Sequence, residues 1–178
     1  MSGKTRNRIL DVALCLFNEQ GETNISTNHI ADELEISPGN LYYHYRNKDD
    51  IIEQLFLRFE ERMDQALVAP EGRDVTLEDV WLQLHLVFEC IWNYRFIYRD
   101  IINILSRNRN LRLRFARILK RGSSNAQGIM RGLTETGAVG WIVQNILGRP
   151  HSTRQAQTRL MVPAAALSAF LNNTPVVA

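Results

Sequence analysis

Asn40, Tyr42 and His44 are the side chains of this 178-residue chain best suited to chemistry with a nucleic acid, and they fall together in the segment SPGNLYYHYRNK from Ser37 to Lys48. An asparagine amide pairs with adenine through two hydrogen bonds in a major groove. A tyrosine gives its hydroxyl to a phosphate or lays its ring on a thymine methyl, and a histidine reaches a backbone oxygen or a base edge. Thr27 and Lys48 are phosphate candidates, because such contacts set register without reading sequence. Gly39 lets a helix approach a sugar-phosphate backbone closely. Ser37 reads first as a helix cap and second as a phosphate contact. Leu41, Tyr43 and Tyr45 are expected to face inward, and His29 to be a surface residue.

Other chemistry is poorly provided for. The four histidines, His29, His44, His85 and His151, are scattered, with no Cys or second His at ligand spacing. There is no glycine-rich phosphate loop, no H-E-x-x-H and no nucleophile elbow. No enzyme activity, cofactor or metal is expected. Cys15 and Cys90 sit among apolar neighbours and are expected to be buried free thiols in a reducing cytoplasm. No apolar run approaches the ~20 residues of a membrane span, and MSGKTRNRILD lacks the pattern of a signal peptide.

Charge is unevenly spread. The net charge is +2, yet residues 1–79 carry 8 basic and 16 acidic side chains, and residues 80–178 carry 13 basic and 3 acidic ones. A nucleic-acid reader would be expected to hold its positive charge in the first half. What matters is the face the charges occupy, and Lys4, Arg6, Arg8, Arg46 and Lys48 flank the reading segment.

The elements that must position these residues are helices. Ile9, Val12, Ala13, Leu16 and Phe17 give one apolar stripe over about 5–19, closed by Gly21. Ser26 caps a second helix over about 27–34, which buries Ile30, Ala31 and Leu34. Ser37 and Pro38 open the third. Asn47 caps a fourth, with Asp50 completing a box-like arrangement, and Ile51 to Leu67 continue it for about five turns. Pro70 to Asp74 is the clearest linker, and Thr76 with Asp79 restarts helix. Leu77, Val80, Trp81, Leu84, Phe88 and Ile91 are expected to be its buried face. A helix over about 111–135 should bury Leu111, Phe115, Ile118, Ile129 and Leu133, and bend or break near Gly122, since glycines weaken helices. Short helices are expected over 141–147 and from about 154 to 170. The fold class is all-α.

The pieces RILDVALCLFNEQG, IADEL and ISPGNLYYHYRNKDDI resemble the DNA-binding head of the tetracycline-repressor (TetR) family of bacterial transcription regulators. The resemblance is close from about Thr5 to Leu55 and rests on helical layout beyond residue 67. It implies a three-helix head with a helix-turn-helix over residues 1–48 and a helical ligand-binding and dimerisation domain over 49–178. It further implies a homodimer that binds a palindromic DNA operator, usually as a repressor, and releases it when a small effector binds. One departure lies in the turn, where Glu35 stands in place of the usual glycine. The turn is expected to bend toward an ordinary helical φ or to set the carboxylate aside.

Three further regions keep alternatives open. Trp81, Leu84, His85, Phe88, Trp92 and Phe96 suit a pocket for a hydrophobic or amphiphilic effector, and suit a plain helical core equally. Arg99, Arg109 and Arg112, with Arg107, Arg114, Arg117, Lys120 and Arg121, read as a solvated face, as partners for the acidic first half, or as a site for an anionic effector. Trp141, Ile142, Ile146, Leu160, Leu167 and Phe170 are the candidate dimer interface, although GRPHSTRQAQTRLMVP is unusually polar for that role. Beside the ligand-responsive repressor stands a DNA-binding protein of the same fold without a small effector, working through a protein partner.

Overall fold

A computed structural model of the protein describes residues 2–68, 73, 75–135, 137 and 140. Among them every regular element is helical: α1 (Ser2–Gln20), α2 (Thr27–Glu33), α3 (Pro38–His44), α4 (Lys48–Ala66), α5 (Leu77–Asn93), α6 (Arg95–Arg99), α7 (Ile101–Arg107) and α8 (Arg109–Glu135), with a 3-10 turn at Glu22–Asn24. The expected linker at Pro70 to Asp74 lies almost wholly outside the described residues. So do the helices expected over 141–147 and 154–170 and all six candidate interface residues, Trp141, Ile142, Ile146, Leu160, Leu167 and Phe170.

Local chemistry sets most boundaries. Gly21 takes φ 86° and ends α1, a conformation that costs a residue without Cβ little. The Ser26 hydroxyl accepts from the His29 amide at 3.3 Å while His29 Nδ1 accepts from the Ser26 amide, so this surface histidine completes the cap of α2. Ser37 accepts from the Asn40 amide ahead of Pro38, and Thr76 shares a reciprocal box with Asp79. Asn47 caps α4 as expected, but Asp50 does not close a box with it. Its carboxylate accepts instead from the Arg46 amide, one residue earlier.

One hydrophobic core runs without a break from Ile9 and Phe17 of α1, through Ile51, Leu55, Phe56 and Phe59 of α4, to Phe96, Ile104, Leu111 and Ile118. Helix α4 is its axis. Helix α5 lies antiparallel to it, with Tyr94 against Phe59 and Gln83 reaching Val68 O. Helix α8 runs parallel to it, with Arg114 on Glu60, Arg121 on Asp64 and Asn125 on Leu67 O. Buried Asn18 donates to Asn93 O at 2.8 Å and accepts from the Phe96 amide at 3.1 Å, satisfying the backbone where α5 gives way to α6.

The structure departs from the sequence expectations at α5, α8 and Cys15. The buried side of α5 is formed by Cys90 with partly buried Val87 and Ile91; Trp81, Leu84 and Phe88 point to solvent. Helix α5 has two apolar faces, and the one that meets α4 carries Cys90 and leads to Tyr94, which packs on Phe59. Helix α8 is unbroken past Gly122, because Arg121 and Asn125 anchor it to α4 on either side of the weak point. Of the two thiols, Cys90 is buried but Cys15 is exposed and donates to Glu19. Burial pushes the Cys90 thiol up to about 11, which leaves it protonated at neutral pH.

Candidate nucleic-acid interface

Helix α3 owes its placement to Leu41 and Tyr45, both in the core. The Tyr45 hydroxyl donates to Arg6 O, and the Arg6 guanidinium lies 5.4 Å from the ring centroid. With that face anchored, Gly39, Asn40, Tyr42 and Tyr43 are exposed and His44 is half-buried. Tyr43 corrects the sequence reading: it is 78% exposed, packed only edge-on against His44 at 5.1 Å. Its position two residues after Leu41 points it away from the core, whereas the four-residue step from Leu41 brings Tyr45 back to it.

The turn between α2 and α3 keeps its left-handed residue. Glu35 has φ 54°, the Ile36 amide donates to Ala31 O, and the Glu35 amide donates to Asp32 O. These two bonds close the carbonyls at the end of α2 and hold the strained geometry in place. The expected relaxation to a helical φ does not occur, because it would leave those carbonyls unpaired.

Beside α3 lies an open cleft of about 440 Å³, lined by residues 23–27 together with Tyr42, Arg46, Asn47 and Lys48. The Thr27 and Tyr42 hydroxyls are 2.9 Å apart across its wall. The cleft therefore brings Thr27, Tyr42 and Lys48 together, while Ser37, Gly39, Asn40 and His44 lie outside its lining on α3 and its cap. Lys48 is less available than its position suggests. Its ammonium reaches Glu22 O at 2.9 Å, Ile25 O at 3.0 Å and Glu22 Oε1 at 2.9 Å. Three contacts account for its three protons.

Glu22 went unnoticed in the sequence. It is wholly buried, and its Oε1 is met both by Lys48 and by Arg107 of α7 at 2.9 Å. Burial by itself raises the Glu22 pKa, but the Lys48 and Arg107 hydrogen bonds outweigh it and hold the carboxyl below the usual glutamate range. Nothing local marks this residue: an acid after a glycine looks like an ordinary turn, and its partners are 26 and 85 residues away.

Two family models match the chain: one described as bacterial regulatory proteins of the tetR family over residues 9–55, the other as a TetR bacterial transcriptional repressor over residues 58–147. A TetR-family transcriptional regulator of known structure from Marinobacter aquaeolei is 38% identical, with 96% of this chain and 81% of that one covered and a TM-score of 0.73. The chain belongs to the TetR family of bacterial transcriptional regulators. A tetR-family regulatory protein from Rhodococcus shares the fold at 17% identity and a TM-score of 0.60, over 93% of this chain and 96% of that one. HTH-type transcriptional regulators of Staphylococcus aureus are 48% identical over 48 residues, which is 27% of this chain. The match spans only about a quarter, 26%, of the length of those relatives. Membership places the chain among regulators rather than enzymes.

The effector candidates of this TetR-family chain are dispersed. Trp81, Leu84, His85, Phe88 and Trp92 stand exposed along one side of α5, with the Trp81 and His85 rings stacked 5.5 Å apart. Phe96 is in the core, its ring 5.4 Å from that of Phe17. Arg99, Arg109 and Arg112 are exposed. Two smaller clefts, of about 340 and 220 Å³, lie beside Asp64, Lys120 and Arg121 and beside Val68, Val75 and Leu86; neither is lined by the α5 aromatics. The basic segment divides: Arg114 and Arg121 pair with Glu60 and Asp64 of α4, while Arg117 and Lys120 face solvent. Among the described residues no cluster suited to a metal ion occurs, and no helix is long and apolar enough to cross a membrane.

Proposed function

We propose that the protein is a cytoplasmic repressor that binds a palindromic DNA operator as a homodimer through α3. The carrying observation is the polar and aromatic face of exposed Asn40, Tyr42 and Tyr43 with half-buried His44, beside the Thr27–Tyr42 hydroxyl pair. Asn40 reads a base edge, the paired hydroxyls meet a phosphate, and Gly39 keeps the start of the helix slim against the backbone. Ser37 acts as the cap. Lys48 shapes the cleft wall, its protons being committed inside the head. Two copies are needed because one short helix reaches too few base pairs for useful specificity, whereas two in successive grooves ~34–36 Å apart double the contacts.

Release follows from a hydrophobic or amphiphilic effector taken up against the α5 side chains Trp81, Leu84, His85, Phe88 and Trp92, with Arg99, Arg109 or Arg112 meeting an acidic head group. Only affinity that differs between two body conformations can act on DNA. A second reading draws on a specific observation: the α5 side chains form an exposed stripe and not the wall of a described cleft. Such a stripe suits a protein partner, and regulation without a small effector then follows.

Selection from a random duplex library with the full chain tests the DNA reading. A two-fold symmetric site is expected, bound by two copies, with binding falling steeply as salt rises. No enriched sequence, or binding by a single copy, overturns it. Tryptophan emission titrated with fatty acids, acyl thioesters and aromatic compounds, paired with duplex release, separates the effector from the protein-partner reading.

A further inference from the structure

Beside the shared hydrophobic core, one buried oxygen ties the DNA-reading elements to the rest of the molecule. Oε1 of Glu22 is 2.9 Å from Lys48 Nζ, at the first residue of α4, and 2.9 Å from an Arg107 guanidinium nitrogen, at the last residue of α7. Oε2 is buried without a hydrogen-bond partner, so Oε1 carries the whole interaction. Arg107 also lies 3.5 Å from Asp49 Oδ1, and Asp100, between α6 and α7, accepts from the Glu22 amide at 3.3 Å. Lys48 in turn holds Glu22 O and Ile25 O, the backbone that leads into Ser26 and Thr27 and lines the cleft beside α3.

We propose that Glu22 and Arg107 are positioning residues for DNA binding: the shared oxygen sets where Lys48 and the 22–27 backbone stand, and α7 sets where the oxygen stands. The reason is electrostatic. Two cations on one oxygen at zero exposure compete for the same lone-pair density, so withdrawing either strengthens the hold of the other. A shift of α7 that draws Arg107 away therefore leaves Lys48 pulling alone, and the cleft wall moves with it. Conversely, a duplex that shifts the 22–27 backbone moves Lys48 and the Glu22 oxygen with it, and Arg107 carries that shift to α7. Such coupling is reciprocal by thermodynamic necessity.

The inference rests on the DNA-binding reading, and its test separates the two. The full chain is compared as wild type, Arg107→Gln and Arg114→Gln, the last removing a body ion pair of similar geometry to Glu60. Amide hydrogen exchange without DNA should rise in residues 22–34 for Arg107→Gln and not for Arg114→Gln. Affinity for the selected duplex should fall about tenfold for Arg107→Gln, with the salt slope unchanged, since no phosphate contact is lost. A slope lower by about one unit marks a direct contact and overturns the positioning role. Equal exchange in wild type and Arg107→Gln, or an equal rise in both variants, overturns the joint. If wild type selects no duplex, the DNA reading fails while the exchange comparison still decides the joint.

Discussion

Helices α3 and α5 both turn aromatic side chains to solvent, but they do so on different terms. On α3 the outward rings carry polar handles. Tyr42 is tied through its hydroxyl to Thr27, Tyr43 stands against His44, and the backbone beneath is pinned by Ser37, Leu41 and Tyr45. On α5 the outward surface is Trp81, Leu84, Phe88 and Trp92, each more than half exposed, with His85 stacked on Trp81. A face of hydroxyls, amide and imidazole loses little by meeting a hydrated polyanion. A contiguous apolar stripe gains only by leaving water, at roughly 25 cal/mol per Å². The first suits a duplex, the second an apolar ligand or a protein surface.

The strongest way to break this comparison is to remove the packing that both helices share. Phe59 is fully buried, with Tyr94 and Tyr98 rings against it, in the same core cluster as Leu41 under α3. Phe59→Ala should cost about 3–5 kcal/mol, and the head and body should melt in a single transition followed by far-UV and tryptophan signals together. Separate transitions would show the two faces to belong to independent units. Next in size, Asn40→Ala should cost ~1–3 kcal/mol of binding at one base pair of the selected duplex and almost nothing at the others. Titration against single-position variants of that duplex measures this. Uniform loss at every position would move base reading to another residue of α3.

A smaller effect is expected in the turn. Glu35→Gly should stabilise the fold by about 1 kcal/mol, because glycine takes φ 54° without the Cβ clash that an L-residue suffers there. Urea melts read it, and an unchanged midpoint would show that the α2 end bonds already absorb the strain. The smallest change in stability belongs to α5. Trp81→Gln with Trp92→Gln should alter it by no more than about 0.5 kcal/mol, as exposed positions do, yet reduce the binding of an apolar fluorescent dye. Undiminished dye binding would place the apolar surface elsewhere.

Local signals were legible in the chain and proved sufficient where the structure is local. Gly21, Ser26, Ser37, Pro38, Asn47 and Thr76 announce helix ends because a cap is made by residues within four positions of one another. Leu41 and Tyr45 announce the inward side of α3 for the same reason. The misreadings came where a decision needed a distant partner. Tyr43 is the exception: its two-residue step from Leu41 turns it outward by helix geometry alone, while Tyr45 meets α1 at Arg6. Gly122 weakens α8 on any local scale, and only Asp64 and Leu67 on α4 show why the helix continues.

The residue order by itself therefore determined six of the described helices, α1 to α5 and α8, with the capped helix-turn-helix and the polar face of α3, since each follows from contacts close along the chain; α6 and α7 have no side-chain cap to announce them. Tertiary structure alone decided which side of α5 is buried and that the acidic and basic halves meet through Glu60, Asp64, Arg114 and Arg121. It also decided that Glu22, unremarkable in the sequence, sits beneath Lys48 and Arg107. A buried charge is defined by what surrounds it. Those surroundings come from elements 26 and 85 residues downstream, which no local pattern encodes.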